Sequence, residues 1–150
     1  MTKIRLTKEF RFEASHALWH YDGLCKNIHG HSYILQVTVI GEPNKNEGNP
    51  KLGMVMDFGD LKKIVKEEIV DSFDHSVILN GKAPHQDFTK VDEMFDRIHV
   101  LDYQPTCENM VEDFANKIKA RLPKDVSLFS IKLYETATSY AEWYAEDNQH

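Results

Sequence analysis

Two stretches in which apolar and polar side chains alternate, residues 4–16 and 31–40, restrict this chain to folds with a half-buried sheet. In the first, Ile4, Leu6, Phe10, Phe12 and Ala14 share the even positions. In the second, Tyr33, Leu35, Val37 and Val39 share the odd ones, and Gly41 with Pro43 ends the run. The period then changes. Phe58, Leu61, Ile64, Val65, Ile69 and Phe73 recur at three and four, which predicts an amphipathic helix over 58–73 with Asp57 as N-cap. A second helix is expected after Pro105, with Thr106 as N-cap, Met110, Val111, Phe114 and Ile118 as its apolar stripe, and Pro123 beyond its end. Alternation returns at Phe129, Ile131 and Leu133, and a last strand is expected over 139–146. Residues 44–53 read as surface loop, and within 80–105 a short helix over 91–100 is the one element suggested. The order is strand, strand, helix, helix, strand, strand. That is an α+β arrangement, an antiparallel sheet with helices on one face.

A length of 150 residues suits one domain, 1–150. Lys and Arg number 18 against 24 Asp and Glu, a net charge of −6, which weighs against nucleic acid as a partner because that asks for a basic face. A phosphorylated small molecule, held by a few local cations, remains compatible. No stretch approaches the ~20 apolar residues of a membrane span, and the N-terminus has no apolar signal core. Two cysteines, Cys25 and Cys107, are too few for a disulfide scaffold and suggest a reducing, cytoplasmic setting.

The histidines carry the chemistry. His16 has the parity of the apolar face of the first strand, and His29 and His31 have that of the second. Residues two apart on a strand point the same way, about 7 Å apart along it. If the two strands form an antiparallel pair, all three imidazoles converge at the end where residues 17–28 connect them. Three imidazoles with an open fourth position are the ligand set of a catalytic zinc. Any one of them alone reads as an ordinary strand-end histidine, but three buried imidazoles left unpaired would be costly, which favours a metal. His20, His85, His99 and His150 show no such pattern.

Cys25 lies in the connection, four residues before His29. It reads equally as a fourth ligand closing a structural site, as a nucleophile or base beside an open metal, or as a loop thiol without a role. Asp74-His75 follows the first helix, and a carboxylate beside an imidazole is a minimal acid–base relay, though such pairs are common in loops. Glu135 extends the apolar parity of Ile131 and Leu133. A carboxylate there is expensive unless it is paired or the strand ends before it.

Taken together, Phe12-Glu13-Ala14-Ser15-His16, Cys25 with His29-Gly30-His31-Ser32-Tyr33, Asp74-His75, Pro105-Thr106-Cys107-Glu108-Asn109 and Glu135-Thr136 resemble the 6-pyruvoyltetrahydropterin synthase superfamily, in that order and over nearly the whole chain. The resemblance implies a T-fold, a ββααββ subunit whose sheets join around a ring into a barrel, as a homohexamer built of two trimers. It implies a zinc on His16, His29 and His31, and a catalytic set of Cys25, Asp74 and His75, with the Asp-His pair arriving from a neighbouring subunit. It implies that Glu135 anchors the amino-pyrimidine edge of a pterin and that Thr106 and Glu108 line the pterin pocket. The Cys25-to-His29 spacing resembles the branch of bacterial queuosine and deazapurine synthesis that makes a 6-carboxy pterin. The implied activity is a zinc-dependent lyase acting on 7,8-dihydroneopterin triphosphate, with release of triphosphate and acetaldehyde. Triphosphate elimination alone, giving the pyruvoyl product, is the nearer alternative, and a zinc-stabilised interaction module without catalysis is the further one. Lys26 and Arg11 are the cations offered for the triphosphate.

Overall fold

Strands β1 (Ile4–His16) and β2 (His29–Gly41) pair antiparallel along their whole length, Ile4 opposite Gly41 and His16 opposite His29. The computed structural model describes residues 1–83, 91 and 93–149. After a surface loop comes helix α1 (Phe58–Val65), which passes through a π-helical turn (Lys66–Val70) into the short α2 (Asp71–Phe73). Asp57 caps α1 as expected, its side chain accepting from the Gly59 N–H at 2.7 Å. The π turn carries the apolar stripe onward, so Leu61, Val65, Ile69 and Phe73 are all buried. Helix α3 (Cys107–Lys119) is capped by Thr106, whose hydroxyl accepts from the Asn109 N–H, and buries Met110, Val111, Phe114 and Ile118.

Two strands lie outside the expected order. β3 (Ser76–Asn80) runs parallel to β1, and β4 (Ile98–Leu101) runs parallel to β3. With β5 (Ser127–Thr136) and β6 (Ser139–Tyr144) they make a six-stranded sheet ordered β4-β3-β1-β2-β5-β6. The expected antiparallel four, β1, β2, β5 and β6, are its larger part, and the parallel pair is added beside β1. Of the expected helix over 91–100, Val91, Glu93 and Met94 are helical and the Phe95 N–H donates to the Val91 carbonyl; by Ile98 the chain has become a strand. His85 and His150 lie outside the described residues. The fold is α+β and that of the T-fold. No helix among the described residues is long and apolar enough to cross a membrane.

One face of β1 and β2 meets the helices. Phe12 stacks on Tyr33 with ring centroids 5.0 Å apart and meets Phe114 edge-on at 6.2 Å. These rings, with Leu35, Ile131 and Leu133, form the floor on which the first turns of the site rest. In β5 a bulge opposite Thr38 and Val39 leaves Phe129 unpaired, so Leu128 takes the core position instead. Phe129 turns outward, with the Arg5 guanidinium 3.8 Å from its ring centre.

Candidate active site

The alternation of β1 and β2 places His16, His29 and His31 on the helix-covered face, beyond the aromatic floor of Phe12 and Tyr33. Because His16 pairs with His29, their rings are forced together, with centroids 4.6 Å apart; His31 stands 5.0 Å from His16 and 4.9 Å from His29. Their ligand nitrogens all lie within 4.8 Å of one another. His16 Nδ1 lies 2.7 Å from the Pro105 carbonyl, and His29 Nδ1 2.8 Å from the Asn27 carbonyl. A carbonyl only accepts, so each Nδ1 carries the proton and each Nε2 presents a lone pair. Burial pushes the pKa of His16 and of His31 down, which keeps both rings neutral. All three Nε2 atoms are buried without a hydrogen-bond partner. Imidazoles without a hydrogen-bond partner at Nε2, two of them oriented by carbonyls at Nδ1, fit a metal ion, and an all-nitrogen set of three suits zinc. The cluster contains the three imidazoles and not the Cys25 thiol.

Cys25 sits in a 3-10 turn (Leu24–Lys26) of the connection between β1 and β2, half-buried, as a free thiol. Glu135 is the unpaired residue of a second bulge, between Tyr134 and Thr136 of β5. The bulge aims it toward the cluster, where its Oε1 stands 3.5 Å from His31 Nε2 with its side chain 27% exposed. Thr106 and Glu108 belong to the first turn of α3, beside the Pro105 carbonyl that holds His16. The Thr106 oxygen accepts from Asn109, which leaves its own proton free to donate outward. Glu108 is exposed.

Asp74 and His75 stand apart from this group. His75 has φ 60°, in the left-handed region that a residue with a side chain enters only when held there. Glu13 of β1 holds it twice: its carbonyl accepts from the His75 N–H, and its N–H donates to Asp74 Oδ1 at 2.9 Å. That backbone bond, with the adjacent His75 ring at 3.1 Å, holds the Asp74 carboxyl below the usual carboxylate range. Arg97 donates to the carbonyls of Asp74 and Asp71 and so fixes the end of α2. The His75 side chain is 74% exposed and opens on a depression of about 380 Å³ lined by Glu13, Ser15 and Ser32, which alternate away from the helices, and bounded by Gly30 and His31. The pair is thus presented outward, onto a depression that His31 also borders. Arg11 also points to that face and is ion-paired with Glu9 at 3.4 Å, whereas Lys26 is exposed beside Cys25.

Three groups at the site were not singled out by sequence pattern as functional. Tyr33 reads as core, and it is 1% exposed, yet its ring is 5.6 Å from His31 and its buried hydroxyl has no hydrogen-bond partner. Burial, with the Glu135 charge added, pushes its pKa up, so it remains a donor. Cys107 is buried with its thiol directed at the Leu133 carbonyl, and burial pushes its pKa up to about 11. Gln104 bridges two loops; no pattern marks it beyond its place before Pro105.

Residues 5–146 match the model of the 6-pyruvoyl tetrahydropterin synthase family. The chain is 36% identical over 141 residues to the 6-carboxy-5,6,7,8-tetrahydropterin synthase of Haemophilus influenzae, covering 93% of this chain and 97% of that one. It is 32% identical over 167 residues to the enzyme of the same name from Aquifex aeolicus, covering 96% and 99%. Among solved structures, an uncharacterized protein from Wolinella succinogenes superposes with TM-score 0.79 at 21% identity, covering 97% of this chain and 99% of that one. The 6-pyruvoyl tetrahydropterin synthase of Caenorhabditis elegans does so with TM-score 0.68 at 24% identity, covering 97% of each, which shows the shared fold. The family model and the curated relatives together define an enzyme of the pterin-synthase class. The chain belongs to the 6-pyruvoyl tetrahydropterin synthase family, and its curated relatives carry the name of that family's carboxy-pterin enzymes.

Proposed function

We propose that this protein is a zinc-dependent lyase that converts 7,8-dihydroneopterin triphosphate to 6-carboxy-5,6,7,8-tetrahydropterin, releasing triphosphate and acetaldehyde, in the cytoplasm. The observation that carries the reading is the trio of buried, unpartnered Nε2 atoms beside a bulge-directed carboxylate, in a chain whose curated relatives are named for that product. His16, His29 and His31 would hold the zinc. When bound there, the metal supplies Lewis-acid polarisation of substrate oxygens.

The remaining steps belong to side chains. Glu135 accepts paired N–H groups from the amino-pyrimidine edge, a charge-assisted contact that rewards its half-buried position. The Thr106 hydroxyl donates to the ring, and Glu108 borders the pocket. Cys25, as thiolate, takes the proton from the side-chain carbon next to the ring, and the electron pair moves into the ring, which is reduced to the tetrahydro level as that carbinol becomes a carbonyl; loss of a proton from the middle side-chain carbon then expels triphosphate from the third. Lys26 meets the departing anion. His75, oriented by Asp74 through Nδ1, moves protons at Nε2, reaching the site of a neighbouring subunit. Release of acetaldehyde requires cleavage of the bond between the first and second side-chain carbons, with one water adding to the first to complete the carboxylate.

The decisive experiment is product analysis. Purified, zinc-loaded protein given dihydroneopterin triphosphate is expected to yield the 6-carboxy pterin with equimolar acetaldehyde. A pyruvoyl pterin without acetaldehyde would instead assign simple elimination, and no turnover at all would favour the interaction-module reading.

The metal and pterin assignments separate cleanly. About one zinc per chain is expected, and His31→Ala should lose most of it, because two imidazoles hold zinc poorly without a third. Unchanged metal content in that variant would displace the site. Glu135→Gln should keep its zinc yet bind pterin roughly 10–100-fold more weakly, since one charge-assisted contact is replaced by a mismatched amide. Equal pterin affinity would return Glu135 to a purely structural place in the bulge.

A further inference from the structure

The connection over 17–28, which carries Cys25, contains no fully buried residue; Ala17, Leu18, Trp19 and Cys25 are half-buried. Hydrogen bonds brace it. Within it the Leu18 N–H donates to the Cys25 carbonyl at 2.9 Å, and the Tyr21 N–H to the Leu18 carbonyl. From outside, Gln104 grips the next residue, Trp19, at both backbone groups: Nε2 donates to the Trp19 carbonyl at 2.7 Å, and Oε1 accepts from the Trp19 N–H at 2.9 Å. This pairing of one donor and one acceptor fixes the orientation of the amide, and a carboxylate or a hydrocarbon of the same size cannot reproduce it. Oε1 also accepts from Asn80 Nδ2 at 3.0 Å, at the end of β3. The backbone carbonyl of Gln104 accepts from Asn109 Nδ2 at 3.0 Å and from the Thr106 N–H at 2.7 Å, anchoring it to the start of α3. Its neighbour Pro105 offers the carbonyl that holds His16.

One dipeptide therefore grips the loop of Cys25 by a side chain and the ring of His16 by a carbonyl. We propose that Gln104 is a positioning residue that keeps the Cys25 loop in register with the histidine cluster and with the end of β3. The proposal rests on the reading of Cys25 as the base. Proton abstraction tolerates little misplacement: about 1 Å costs about 10²-fold. A loop with no fully buried residue would otherwise sample that range.

Gln104→Glu keeps Oε1 and replaces the donor with an oxygen facing the Trp19 carbonyl. The expected result is a kcat lower by roughly 10–100-fold with KM within about twofold. Zinc content should stay at its original level. Iodoacetamide should alkylate Cys25 several-fold faster in this variant, since the thiol is released from its fixed place. In a Cys25→Ala background the same substitution should add no further loss, because two groups acting as a unit are not additive. Native-state hydrogen exchange on the unaltered protein tests the grip without any variant: the Trp19 amide should exchange as slowly as those of β1. Unchanged alkylation in Gln104→Glu, losses that multiply in the double variant, or a Trp19 amide exchanging at the rate of an open loop would each overturn the proposal. Full activity in Cys25→Ala would overturn the reading of Cys25 as base, while alkylation and exchange still decide whether Gln104 holds the loop.

Discussion

Cys25→Ala is expected to lower turnover by roughly 10²–10⁴-fold, the usual contribution of a positioned base, while zinc content and melting temperature stay near those of the unaltered protein. The thiol is half-buried on a short turn outside the core, so its removal leaves no cavity of consequence. It is also no member of the nitrogen cluster. A fourth zinc ligand would behave differently, because structural metal binding contributes directly to folding free energy: its loss would strip the metal and lower the melting temperature together. Cys25→Ser should be nearly as damaging as Cys25→Ala, since a hydroxyl is far less acidic than a thiol. Iodoacetamide should reach the thiol while zinc stays bound, because a base must be accessible and a ligated thiolate is shielded. Zinc loss in parallel with activity loss in both variants would sink the assignment and make Cys25 a ligand.

The three-histidine cluster was legible because it depends only on parity and pairing. Once β1 and β2 are neighbours, alternation alone puts His16, His29 and His31 on the face of Phe12 and Tyr33. The helices were legible for similar reasons, with caps at Asp57 and Thr106 and stripes of the right period. What escaped notice has no period. Ser76, Val77, Ile78 and Asn80 are all buried, as parallel strands covered on both faces are, so β3 offers no alternation to read. Bulges insert one residue and shift parity without any local signature: the one opposite Thr38 and Val39 expels Phe129 from the core, whereas Glu135, read from the parity of Ile131 and Leu133, does stand beside the cluster. The left-handed backbone of His75 depends on Glu13, sixty residues away, and the grip of Gln104 on Trp19 joins segments with no common pattern. Such contacts are consequences of the completed fold.

Mixing two inactive variants, Cys25→Ala and His75→Ala, is expected to restore activity, and this follows from where the two groups stand. The triad's free nitrogens lie on the helix-covered face of the sheet, whereas His75 is presented outward beside Glu13 and Ser32. The ring contacts of the cluster do not include His75, and His75 is expected to serve the site of a neighbouring subunit. The sheet ends in β4 on one side and β6 on the other, and neither outer edge is paired among the described residues. Open edges are a liability that closure into a ring removes, so sedimentation should show an oligomer, a hexamer of two trimers if the ring doubles. On the proposed reading, each site of such an assembly would take its cysteine from one subunit and its Asp-His pair from the next. If both variants are co-expressed in equal amounts under different tags and assort at random, about a quarter of the sites receive both intact groups. Activity should then rise from the residual level of either parent to about a quarter of the unaltered enzyme, a gain of roughly 25-fold or more given the loss expected for a missing acid–base group. Each parent expressed alone should still assemble, since neither side chain is buried in the core. A mixed assembly no more active than its parents would mean that Asp74 and His75 serve the cluster of their own chain, or none. A stable monomer at micromolar concentration would abolish the shared site altogether.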